Sequence, residues 1–330
     1  MKRITIAFIL LLSVIKPAFA FEKDTLALEF QSDRAILKGQ LIVPQKNNSK
    51  VPAVIFLPGS GGNSSYASDY KKFLEFFLLN PFANEEVAFM FFDKRGVRES
   101  EGNWYKTDFL QRAKDVKHAA EYLQSVPQID EERIYVIGHS QGGWIVQICL
   151  SEYPDLFAGG ISMAGPTFNV RKQLINDYQS GFICRENLDV DSALKKAKRR
   201  VSRDLTIVSI FPLKEDWKQL KVIRKFDPAD YLLKIKKPIL LLFAENDRLV
   251  NPGWGVDHLN AIFPAGIPNE FTVHISQGEN HSFQTSPLCY KGKWSDLKYS
   301  ENTRKVMCDW LSNHLGVSKG SSLSLVNQEF

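Results

Sequence analysis

The sequence predicts an α/β chain built on a mostly parallel sheet with helices on both faces, and three observations predict it. Short apolar runs at residues 51–57, 87–92 and 238–243 have the pattern of strands buried on both sides, and strand-forming runs lie at 133–137 and 159–163. Between two of them Phe109, Ala113, Val116, Ala120 and Leu123 keep helical spacing, and strands that alternate with helices imply a parallel sheet. The run at 133–137 leads directly into Gly138-His139-Ser140-Gln141-Gly142 and then into a second apolar, helix-compatible stretch. Glycines on both sides of Ser140 allow a tight strand-to-helix turn that holds the serine oxygen clear of its neighbours.

The elements follow in order. Residues 1–20 join a basic start, Met1-Lys2-Arg3, to a short apolar stretch and an A-x-A end at Ala18-Phe19-Ala20, the make-up of a secretory signal peptide. The apolar stretch is short for a bilayer span, so an exported chain starting at Phe21, with no stable membrane insertion, is expected. Residues 25–30 and 35–43 alternate and end at Pro44, as in an edge hairpin, and Asn47-Asn48-Ser49 reads as its turn-rich exit. The strand at 51–57 runs into Pro58-Gly59-Ser60-Gly61-Gly62, a helix is expected at 70–79, and the strand at 87–92 runs into Asp93-Lys94-Arg95-Gly96. From 165 to 237 the strand pattern stops and a basic, helix-prone stretch reads as an inserted cap. The core is therefore expected at 21–164 and 238–317. A last strand is expected at 270–275. Ser300 caps a final helix bearing Val306, Trp310, Leu311 and Leu315 and stopped by Gly316, and the Ser-rich residues 318–330 read as a loose tail.

Net charge is +5, falling to about +2 without the leader, which gives no ground for nucleic-acid binding. Residues 171–225 carry fourteen Lys/Arg against seven Asp/Glu, read as a solvated helical surface, with attraction of anionic substrates or membranes as the alternative. Of the four cysteines, Cys149 reads as a buried free thiol and Cys289 is expected to pair with Cys308; Cys184 is the fourth. No C-x-x-C spacing and no metal-type histidine pair occur, so no metal is expected.

Ligands of such sheets bind beyond the carboxyl ends of the strands. Ser60, Ser140, Asp247 and His281 all fall there. A serine hydroxyl needs a base within reach, and the base needs an orienting acid. Asp247 follows the strand at 238–243, with Glu245 as the reserve acid, and His281 follows the strand at 270–275. His139, beside the nucleophile, reads as packing, as do Trp104 and Trp217; Asp93 and Arg95 read as an ion pair that fixes their loop.

The order Ser, Asp, His, together with Phe92-Asp93-Lys94-Arg95-Gly96, Gly138-His139-Ser140-Gln141-Gly142-Gly143 and an Asp-Pro-Ala-Asp start at Asp227, resembles the α/β-hydrolase superfamily, within it bacterial serine esterases with a helical cap. The resemblance implies Ser140 as nucleophile, His281 as base and Asp247 as acid. It also implies an oxyanion hole from the backbone N–H groups of Ser60 and Gln141. The activity implied is cofactor-free hydrolysis of a small-molecule carboxylic ester through an acyl-enzyme. Arg98 stands where the resembling loop has glycine. A serine peptidase or thioesterase of the same fold, and a non-catalytic binding protein, are the alternatives; export disfavours a cytosolic acyl-CoA substrate. Nothing in the sequence sets the oligomeric state.

Overall fold

The computed structural model describes residues 22–45, 49–66 and 70–317. The leader at 1–20, the tail at 318–330 and Asn47-Asn48 of the hairpin exit lie outside the described residues.

Eight strands form one sheet in the order β1-β2-β4-β3-β5-β6-β7-β8. They are β1 (Lys23–Ser32), β2 (Ala35–Pro44), β3 (Val51–Leu57), β4 (Ala88–Phe92), β5 (Ile129–His139), β6 (Gly159–Met163), β7 (Ile239–Ala244) and β8 (Phe271–Ser276). The β1–β2 hairpin lies at one edge and joins β4 antiparallel; every other pairing is parallel. The strand order reverses around β3, so the turns after β3, β5, β7 and β8 gather at the carboxyl ends.

Period-2 geometry sends alternate residues of each strand into two different apolar layers. Ala53, Ile55 and Leu57 of β3 pack with α2 (Phe109–Gln124) and α3 (Gln141–Glu152). Val54 and Phe56 pack with α1 (Lys71–Leu74), which continues as a π-helical turn over Glu75–Leu79, and with α9 (Glu301–Leu315). Both sides of β3 are therefore dry, which is why its sequence is apolar without alternation. Ser300 caps α9 by accepting the Thr303 N–H, and Gly316 ends it at φ 64°, as the sequence predicts.

Between β6 and β7 the chain leaves the sheet for α4 (Val170–Glu186), α5 (Val190–Ile210), α6 (Glu215–Ile223) and α7 (Ala229–Leu232). Helices α4 and α5 share a small apolar layer of Ile175, Phe182, Ala193, Ala197 and Val201. The basic residues of α5 face solvent, where Lys196 pairs with Glu186 and Arg200 with Asp204. Helix α8 (Pro252–Ile262) was not expected: Gly253 and Gly255 depress the helical pattern, although Asn251 caps it and Pro252 occupies its first turn. Gly255 is there for packing, since a Cβ would sit 2.9 Å from the Phe243 ring.

Two sequence expectations are corrected. Cys289 pairs with Cys184, not Cys308. The loop carrying Cys289 runs from His281 to the last turn of α4, whereas the Cys308 side chain packs against the apolar layer under α9. Cys149 is a buried free thiol, as expected, and burial pushes its pKa up. Asp93 and Arg95 do not pair with each other. Arg95 reaches the buried Asp115 of α2 at 2.7 Å, while Asp93 accepts hydrogen bonds from the Ser64 hydroxyl (2.7 Å) and the Ser65 N–H (2.9 Å) and lies 3.6 Å from Arg98. Arg98 itself sits at φ 50°, the left-handed region that glycine adopts freely, with its guanidinium over the Tyr66 ring.

Candidate active site

The turn from β5 to α3 places Ser140. Its φ of 56° is in the left-handed region, which costs a non-glycine residue roughly 1–3 kcal/mol. The Ser140 N–H donates to the Met163 carbonyl at 2.8 Å, and the Gly143 N–H donates to the Ser140 carbonyl at 2.9 Å, so the conformation is held from both sides. A Cβ at Gly138 would lie 2.2 Å from the Gly142 carbonyl oxygen, and one at Gly142 2.5 Å from the Leu57 carbonyl oxygen. Gly138 lets the turn close on itself, and Gly142 lets it press against β3. Gln141 is the first residue of α3, where unpaired N–H groups and the helix dipole favour negative charge.

Asp247 follows β7 and its side chain is fully buried. Oδ1 accepts the N–H groups of Leu249 (2.7 Å) and Val250 (3.0 Å), and Oδ2 accepts from His281 Nδ1 at 2.6 Å. An ionised carboxylate only accepts, so this contact puts the imidazole proton on Nδ1 and leaves Nε2 free to take one. Glu245, the reserve acid, instead accepts the Gly278 N–H at 2.7 Å and braces the loop before His281. Two residues after His281, the fully buried Phe283 is held at φ 57°.

His139 does more than pack. Its Nε2 donates to the His281 carbonyl at 2.9 Å, which leaves Nδ1 as an acceptor for the Tyr70 hydroxyl at 2.9 Å. Tyr70 in turn accepts the Gly59 N–H at 2.9 Å. One chain of hydrogen bonds thus joins the loop after β3, the Ser140 turn and the His281 loop. Burial and the neighbouring His281 lower the His139 pKa to about 3, so this imidazole is neutral.

A cavity of about 400 Å³ opens beside the Ser140 turn, lined there by Ser60, Ser140 and Gln141. Val170 and Leu174 of α4 and Leu220 and Ile223 of α6 add apolar lining, and Asp177 and Asp216 of the same helices add carboxylates. Trp217, expected only to pack, also lines it; Trp104 stands outside, its ring over Gly62. The structure thus brings Ser60, Ser140 and Gln141 onto one cavity and joins Asp247 to His281, whose loop His139 ties to the Ser140 turn. Sequence reasoning missed Tyr70, Lys94 and Arg112. Arg112 had a visible signal: a charged residue in the apolar stripe of α2, where it is 6% exposed.

Residues 74–191 match the prolyl oligopeptidase family. The acylamino-acid-releasing enzyme of Rattus norvegicus is 21% identical over 284 residues, 82% of this chain and 32% of that enzyme. The chain spans about a third of the length of the curated relatives it matches. Among solved structures, an esterase of Pyrococcus furiosus superposes with a TM-score of 0.59 at 18% identity, over 90% of this chain and 92% of that one. An α/β hydrolase of Penicillium, GrgF, gives 0.57 at 19% identity, over 89% and 99%. At these identities the likeness to the solved structures is one of fold.

Proposed function

We propose, starting from the α/β-hydrolase fold of this chain, that it is an exported serine hydrolase that cleaves carboxylic esters through an acyl-enzyme. The observation that carries the reading is that Ser140, on its strained turn, shares one cavity with Ser60, Gln141 and the Leu249–Val250 segment, whose N–H groups hold the Asp247 carboxylate that bonds His281. In this reading His281 Nε2 takes the Ser140 proton as Oγ attacks the ester carbonyl. The negative oxygen of the tetrahedral intermediate is met by the N–H groups of Ser60 and Gln141. The intermediate collapses, the alcohol leaves with the proton from His281, and water repeats the cycle on the acyl-enzyme. Asp247 keeps the imidazole in the right tautomer and stabilises its cation. A cavity of about 400 Å³ with an apolar wall from α4 and α6 suits a small ester with an aliphatic or aromatic group. The helices over residues 165–237 act as the cap that shapes this cavity.

A peptidase reading has a specific support of its own: the family matched is named for prolyl oligopeptidase, and the relative from Rattus norvegicus is named an acylamino-acid-releasing enzyme. The triad chemistry serves either leaving group. The deciding experiment combines fluorophosphonate labelling with turnover of p-nitrophenyl acetate and butyrate and of an N-acetylaminoacyl p-nitroanilide. Labelling and ester turnover in the wild type should fall by about 10⁶ in Ser140→Ala and about 10⁴ in Asp247→Asn. Preferential turnover of the anilide moves the assignment to the peptidase. A folded wild type with no labelling and no turnover removes the hydrolase reading.

A further inference from the structure

The loop from Pro58 to Gly61 rests on two buried cations. Lys94, two residues past β4, is 6% exposed, and its Nζ donates to the Gly59 carbonyl at 2.9 Å and to the Gly61 carbonyl. Arg112 of α2, 6% exposed, donates from Nη2 to the Pro58 carbonyl at 2.8 Å, and burial lowers its pKa to about 10. Burying an ammonium among backbone carbonyls is costly and does nothing for an apolar core. Its effect here is directional. In a trans peptide the C=O and N–H point opposite ways, and no cis peptide occurs among the described residues. The Gly59 carbonyl shares its peptide with the Ser60 N–H. Drawing that carbonyl onto Lys94 therefore turns the Ser60 N–H to the other face of the loop. Gly61, at φ 70°, lets the chain bend so that its carbonyl reaches the same ammonium. On the other side the Gly59 N–H is held by Tyr70, and Ser140 Cβ lies only 3.1 Å from where a Gly59 Cβ would be.

We propose that Lys94 is the positioning residue of the oxyanion hole: by holding the Gly59 and Gly61 carbonyls it aims the Ser60 N–H at the oxygen of the tetrahedral intermediate. This rests on the serine hydrolase reading. The ammonium acts through the peptide and touches no substrate. Its charge also polarises the Gly59–Ser60 peptide, strengthening the N–H as a donor where negative charge develops.

The test uses Lys94→Met, which removes the donor, and Lys94→Gln, which keeps an uncharged one. For each we would measure kcat and KM on p-nitrophenyl butyrate. We would also measure inhibition by an alkyl trifluoromethyl ketone, which adds to serine to give an oxyanion, and by the matching methyl ketone. Lys94→Met should lower kcat about 10²–10³-fold and weaken the trifluoromethyl ketone by a similar factor. KM and the methyl ketone should stay within about threefold, and Lys94→Gln should recover part of the loss. A purely structural role would weaken both ketones together or simply reduce the folded fraction. If Lys94→Met does not fold, Lys94→Gln carries the same comparison. Variants that keep the wild-type preference for the trifluoromethyl ketone overturn the Lys94 proposal alone. A wild type that neither cleaves the ester nor shows that preference removes both readings.

Discussion

Gly138-His139-Ser140 shows how far single residues could be read. The glycines and the serine were legible because a strand-to-helix turn leaves few residue types that fit. The role of His139 was not, because its partners, Tyr70 and the His281 carbonyl, come from positions 69 and 142 residues away. The same applies to Lys94, whose neighbours Asp93 and Arg95 drew attention by their charges while it went unread. His139 yields a prediction on pH. Folded, its pKa is lowered to about 3, chiefly by burial and then by His281, from an ordinary value of 6.5. Below pH 6.5 the unfolded chain takes up a proton that the folded protein refuses. Stability therefore falls as pH drops through the window from 6.5 towards 3, by up to about 1.4 kcal/mol per pH unit from this group. Urea unfolding at pH 7 and pH 4.5 should show His139→Gln losing less stability over that interval than the wild type. An equal loss in both would mean that His139 is not held neutral.

At the scale of elements, β3 and β6 have the bounds expected of them, and β3 shows why: a strand buried on both faces announces itself as an uninterrupted apolar run. Helix α8 did not announce itself, since Gly255 serves close packing on Phe243 and its glycines carry no periodic signal. The disulfide shows the same limit from another side. Four cysteines allow three pairings, and only the approach of the α4 end to the loop after His281 decides for Cys184–Cys289. That bond ties the end of α4 to the His281 loop across a separation of 105 residues. Cys184→Ser should lower unfolding free energy by about 2–4 kcal/mol in urea, with reduced wild type shifted to the same midpoint. Dithiothreitol without effect on the wild-type midpoint would show that the bond is not formed in solution. Cys149 should resist alkylation until the protein unfolds, as burial keeps its thiol protonated and covered.

The whole molecule is proposed to work outside the cytoplasm. Export is proposed from the leader at residues 1–20, and the Cys184–Cys289 bond supports it, because such bonds persist in oxidising compartments. Expressed with its leader in a bacterium, the protein should be recovered outside the cytoplasm with Phe21 as its first residue, read by N-terminal sequencing. An intact Met1 start in the cytoplasm would overturn this. The sequence by itself determined the α/β class, the strand order along the chain and the carboxyl-end positions of Ser60, Ser140, Asp247 and His281. Each of these follows from local rules: apolar periodicity, glycine at tight turns, and the placing of loops after strands. Only the tertiary structure decided which cysteines pair, which acid meets His281, what Arg95 and Asp93 hold, and how Lys94 and Arg112 support the loop after β3. Those are contacts between side chains far apart in the chain, and their partners are set by how sheet and helices pack.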